Sequence, residues 1–171
     1  MIKRSTLCVN AADIAETVLV PAKYLSGGSI GAQITYGENM SLLIATRQPG
    51  YHSKPHKHDA EQLNYVLDGE LYVFVDDDGF LARKGDIFRI PRNAVHWSWV
   101  QGTRSCVLLE THAPPLVGDP GVIDTAVSLT ERNAPDDFVT VKSEWPAAFE
   151  CTPTEKRVLR RNGTQVVDSA S

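Results

Sequence analysis

No stretch of this chain is apolar for long enough to cross a membrane as a helix, which takes about 18 uninterrupted apolar residues. Cysteine is scarce: Cys8, Cys106 and Cys151 are odd in number and far apart. They make neither a disulfide framework nor a CxxC metal pair, as is usual in a reducing compartment. Positive charge is short as well, with 17 Lys and Arg against 21 Asp and Glu, a net charge of −4, and no basic stripe. Phosphate neutralisation needs clustered cations, so nucleic acid is not an expected partner, and neither is a membrane. Near the start, Asp13 and Glu16 interrupt the apolar run that a signal peptide would need, despite the Lys3-Arg4 pair. The expected location is cytoplasmic. Helical periodicity is missing too: no amphipathic helix of useful length lies between residues 30 and 112.

What is present is β texture. From Ile30 the chain runs IGAQITYG, turns at Gly37-Glu38-Asn39, and continues as MSLLIATRQPG. Further β-branched and aromatic runs follow at 80–83, 87–90, 94–100 and 105–111, each bounded by Gly, Pro, Asn or Asp. Asp68-Gly69, between LNYVL and ELYVFV, carries a hairpin signal. Short strands without intervening helices predict antiparallel pairing in a sandwich or barrel. A chain of 171 residues suits one such domain. Three segments are expected: an N-terminal arm over 1–36, a β core over 37–112, and further strands with a short helix over 113–171, packed on the core or on a partner subunit. In the last segment VIDTAVSL and DDFVTV read as candidate strands. Thr154 reads as the N-cap of a helix through EKRVLRR that Gly163 stops, and the final VVDSAS is expected to fray.

The chemistry concentrates in GYHSKPHKHDAEQLNYVLDG, residues 50–69. His56 and His58, two residues apart, share one face of an extended strand. Gln62 follows closely, and His96 supplies a fourth candidate ligand from another strand. Glu61 should point away from that face and is a poor substitute ligand. His52 reads as solvent-facing and His112 as structural.

These spacings resemble the two motifs of the cupin superfamily. Gly50 is followed by five residues, His56-Lys57-His58, three residues, Gln62, six residues and Gly69. Gly85 is followed by five residues, Pro91-Arg92-Asn93, two residues, His96, three residues and Val100. Fifteen residues separate the two motifs, and the resemblance covers about residues 40–112. Three positions depart from the family pattern. Gln62 stands where a glutamate ligand is usual, Asn93 where a turn glycine is usual, and Val100 where an asparagine is usual. Asn93 is tolerable because Asn accepts left-handed backbone angles. The resemblance implies an all-β fold, the cupin double-stranded β-helix or jelly-roll barrel, here with a short C-terminal helix. It also implies one divalent transition metal ion (Fe, Ni, Zn or Mn) held by His56, His58, Gln62 and His96.

A neutral Gln in place of a carboxylate leaves more positive charge on the ion, which favours anionic oxygen ligands and polarised carbonyls or enolates. The expected function is therefore a metal-dependent enzyme acting on a small oxygenated organic compound, with lyase, isomerase or decarboxylase chemistry. The alternatives are a non-haem iron dioxygenase, a non-enzymatic small-molecule-binding cupin, and a metal-free epimerase-like cupin. Strand parity adds neighbours: Asn64, Val66 and Ser98 face inward, while Tyr65, Leu67, Trp97 and Trp99 face out. Asn64, Ser98 and Arg47 are the candidate substrate-binding residues, although a salt-bridged surface position is the plainer expectation for Arg47 and for Glu110. The outward tryptophans call for a cover, either a flanking strand from 1–36 or 120–141 or a second subunit, and a homodimer is expected.

Overall fold

The computed structural model describes residues 7–146 and 149–164. Alternating burial is the rule along its strands, with one side chain in two turned inward. It is clearest in β6 (Glu61–Asp68), where Gln62, Asn64 and Val66 are buried and Glu61, Leu63, Tyr65 and Leu67 are exposed. It recurs in β11 (Cys106–Ala113), where Cys106, Leu108, Glu110 and His112 are buried.

Two sheets face each other. One runs in the order β1 (Thr17–Val18), β3 (Ile30–Tyr36), β4 (Ser41–Arg47), β11, β6, β9 (Ile87–Ile90), with β12 (Val127–Ser128) parallel to β3. The other runs β2 (Leu25–Gly27), β5 (His52–Ser53), β10 (His96–Trp99), β7 (Glu70–Val75), β8 (Asp78–Arg83). Ile34, Leu43, Val66, Val73 and Leu108 fill the space between them. All pairings but that of β12 are antiparallel, giving a jelly roll with one short C-terminal helix. No described helix is long and apolar enough to cross a membrane.

Several local expectations change. Asp68-Gly69 does not close a hairpin, because β6 pairs with β11 and β9 whereas β7 pairs with β10 and β8. Gly69 instead lets the chain cross between sheets. Its φ is +78°, and a Cβ there would lie 2.4 Å from the Ser105 carbonyl oxygen. The hairpins are β3–β4, closed by Gly37 N–H donating to Met40 O at 2.9 Å, and β7–β8. Of VIDTAVSL, the first residues complete a helical turn, α1 (Pro120–Ile123), and only Val127–Ser128 is strand; DDFVTV is irregular.

The C-terminal helix α2 (Thr152–Arg161) begins two residues before Thr154, which is buried inside it rather than capping it. Pro153 sits in its first turn, where a missing N–H costs nothing. Gly163, at φ +76°, follows its end in the left-handed conformation. The frayed tail expected for VVDSAS lies outside the described residues. Trp97 is covered by α2 rather than by a flanking strand from 1–36 or 120–141. Val158 and Leu159 of α2 pack on Tyr72, Phe74 and Trp97, with Trp99 and Phe149 at the margin. Glu155 accepts the Trp97 Nε1 hydrogen at 2.9 Å, so the indole's polar end is satisfied under the helix.

Candidate metal centre

His56 and His96 form an antiparallel bridge, His56 N–H to His96 O at 3.0 Å and the reverse at 2.7 Å. This bridge ties the His-Lys-His segment to the edge of β10. The imidazole centroids lie 4.2 Å apart for His56 and His96 and 4.8 Å for His58 and His96. One ring nitrogen from each of the three histidines falls within 4.8 Å of the others. His56 Nδ1 bonds the Lys54 carbonyl at 3.2 Å and His96 Nδ1 the Ala94 carbonyl at 3.0 Å. Those bonds fix the tautomer with Nδ1 protonated and leave each Nε2 lone pair free to bind a cation.

Gln62 lines the same cavity, and its amide is polarised by its neighbours. Nε2 donates to Asn64 Oδ1 at 2.7 Å and to Glu110 Oε2 at 3.3 Å, while buried Oε1 has no partner. An unpartnered buried oxygen is costly unless something occupies it. Burial, reinforced by the charge of His58, pushes His56 down to about 3. Burial likewise holds His58, His96 and His112 below the ordinary histidine value. All three imidazoles of the cluster are therefore neutral at physiological pH, the protonation state a metal requires. The donor set fits a single divalent ion: three neutral imidazole nitrogens with a free amide oxygen beside them.

Arg47 and Glu110 are not at the surface. They form a buried pair, Nη1 to Oε1 at 2.5 Å, with side chains 8% and 3% exposed. Burial opposes the guanidinium charge, but Glu110 and Tyr51 outweigh it and hold Arg47 protonated. Arg47 Nε and Asn64 Nδ2 are buried donors without acceptors, and both residues line the cavity. Ser98 lines it too. His112, expected to be structural, also faces this cavity; it lies opposite Gln62 across the β6–β11 ladder, with its ring 5.1 Å from that of His58 and its Nδ1 unpartnered. The alternation of CVLLETHA carries that signal: if Leu108 is inside, Glu110 and His112 are as well. His52 stands apart from the cavity, half-buried, stacked on Trp99 at 4.7 Å and bonded to Glu155 at 2.8 Å. Glu61 is exposed and pairs with Arg89, as its parity requires.

A two-sheet jelly roll with inward histidines from two adjoining segments is the architecture of a small ligand- or metal-holding β domain. Residues 43–112 match the family model of the cupin domain, and that segment is similar to cupin domains. Among curated relatives it is similar to the pectin degradation protein KdgF of Dickeya dadantii, with 26% identity over 95 residues, spanning 55% of this chain and 86% of the relative. Among solved structures it is similar to a cupin-like protein of Thermotoga maritima (TM-score 0.54, 15% identity, 84% of this chain and 95% of that one). It is also similar to the polyketide cyclase RemF of Streptomyces resistomycificus (TM-score 0.54, 20% identity, 66% and 80%). The structural likenesses establish the fold.

Proposed function

We propose that this protein is a metal-dependent enzyme that rearranges or eliminates from a small oxygenated acid, with His56, His58, Gln62 and His96 holding one divalent transition metal ion. The observation that carries the reading is the pairing of the three-imidazole cluster with the orphaned Oε1 of Gln62. A bound cation would supply Lewis-acid polarisation of a carbonyl or carboxylate oxygen. The remaining roles belong to the chain. Arg47 Nε and Asn64 Nδ2 orient an anionic or hydroxyl oxygen by donating to it, and Ser98 adds a third polar contact. Glu110 holds Arg47 and the Gln62 amide in place from one side. His112, neutral and with a free ring nitrogen, is the group positioned to accept or return a proton.

A neutral ligand set favours non-redox chemistry over oxygen activation. Similarity to a protein named for pectin degradation supports a sugar-acid substrate, since pectin is built from galacturonate. The test is anaerobic incubation of zinc-, nickel- or manganese-loaded protein with keto and unsaturated acids derived from galacturonate, followed by proton NMR in D2O. Metal-dependent conversion or C–H exchange without oxygen is expected. Turnover only with iron and oxygen uptake would assign the site to the dioxygenases instead.

We also propose a homodimer, through the outer face of the seven-stranded sheet rather than the tryptophan face that α2 covers. Leu63, Tyr65 and Ile87 are exposed there, Ile87 to 73%, and cross-strand pairing continues the apolar band through half-buried Leu109 and Ile44.

A further inference from the structure

Trp145 lies well beyond the cupin-matched segment, yet its indole stacks on His56, with ring centroids 4.5 Å apart and planes at 28°. The indole also stacks on Tyr24 at 4.2 Å, nearly parallel, and Lys23 Nζ stands 4.8 Å from the Tyr24 ring centre. The segment carrying Trp145 is strapped down by backbone bonds. Gly118 N–H donates to Val141 O at 2.7 Å, and Val141 N–H to Pro115 O at 2.9 Å. Lys57 and Glu144 exchange both bonds, at 2.9 and 2.8 Å, and their side chains make an ion pair at 3.6 Å. Lys57 is the residue between the two histidines. The His-Lys-His segment is therefore splinted on both edges, by β10 through His56 and by the strap through Lys57.

We infer that the strap over 141–145 is a working part of the metal centre, with Trp145 as the positioning residue for His56. This inference rests on the metal reading above. A lone imidazole on an irregular segment can rotate about its side-chain bonds. The Nδ1 bond to Lys54 O fixes one edge of the His56 ring, and the indole restricts its tilt, so that Nε2 stays aimed at His58 and His96. Ordering the ligand before the ion arrives removes an entropic cost from binding. Because the constraint is a flat aromatic face, phenylalanine preserves it and alanine does not.

The test measures Zn(II) affinity by competition with a chelating indicator, with circular dichroism to verify folding, for wild type, Trp145→Ala, Trp145→Phe and Leu159→Ala. Leu159→Ala destabilises the fold from α2 without touching His56. Trp145→Ala should weaken zinc binding about 10–100-fold, the range typical of lost outer-shell support. Trp145→Phe should recover most of that loss, and Leu159→Ala should bind as wild type does. In the metal-free proteins, the His56 ring-proton resonances should move downfield in Trp145→Ala, while those of His58 and His96 hardly move. Absence of stoichiometric zinc in wild type would sink the metal reading and this inference with it. Equal affinity in wild type and Trp145→Ala would overturn the inference alone. So would an equal loss in Leu159→Ala, or a failure of Trp145→Phe to recover.

Discussion

Gln62 shows how one side chain sets the character of the site. Asn64 and Glu110 take its amide hydrogens, so the oxygen is what remains to face the cavity. Asn64 sits two positions on along β6 and Glu110 directly across from Asn64 on β11, which is how strand pairing delivers the arrangement. The Arg47–Glu110 pair carries the sharpest prediction at this scale. Removing one partner strands a buried charge, typically a loss of about 3–5 kcal/mol, whereas replacing both by apolar residues is often neutral or stabilising. Arg47→Met should thus lower unfolding stability by about that amount, and the double variant Arg47→Met/Glu110→Leu should recover most of it in denaturant titrations. A single-variant loss below about 1 kcal/mol would show the pair to be solvated. The clustering of His56, His58 and His96 is legible in the sequence because motif spacing and strand parity agree on it. His112 and the buried setting of Arg47 and Glu110 are marked by no motif and follow only from alternation along β11 and β4. Applied there, it puts all three inside.

Helix α2 and the crossing at Gly69 mark where element-level signals mislead. Asp-Gly between two alternating runs favours a tight hairpin, but here the two runs bury their inward faces in opposite sheets. The choice rests on pairings with β10 and β11, which are distant in sequence and leave no local trace. The tryptophans of β10 face outward, as strand parity predicts; their cover comes from a segment whose apolar face, Val158 and Leu159, spans less than one turn. Glu155 couples that helix to β10 and β5 by accepting from Trp97 Nε1 and bonding His52. Its carboxyl is held below the usual glutamate range: burial works in the opposite sense, but the bonds and charge of His52 and the Trp97 bond prevail. Glu155→Ala leaves the Trp97 N–H buried without an acceptor, a cost of about 1–3 kcal/mol. The expected result is a lower melting temperature with a red-shifted tryptophan emission as α2 loosens. Unchanged emission and melting would mean that the helix is held by its apolar contacts alone.

At the scale of the whole molecule, a sandwich or barrel could be read from many short alternating strands with few helical competitors, and the jelly roll from the resemblance to the cupin motifs. Which outer face lies bare could not, because that depends on where α2 comes to rest. If a second copy covers the seven-stranded sheet, Tyr65→Glu with Ile87→Lys should convert a dimer to a monomer in sedimentation, without loss of bound metal. A wild-type monomer across micromolar concentrations would refute the dimer. The core also carries a titration at high pH. Burial pushes the Cys106 thiol up to about 11 from an ordinary value of 9.0, so the fold disfavours its thiolate. An acid whose folded value is raised contributes its full stability below the unfolded value. Stability should therefore decline as pH rises from about 9 towards about 11, and this component of the decline should vanish in Cys106→Ala. An undiminished slope in that variant would assign the decline to other groups. The account as a whole depends on one cation being held where three imidazoles and one amide oxygen converge. Elemental analysis of wild-type protein loaded with zinc and dialysed, beside His58→Ala, addresses that most directly. One ion per chain in the wild type and none in a still-folded His58→Ala is the predicted result; equal metal content in the two, or none in either, would contradict it.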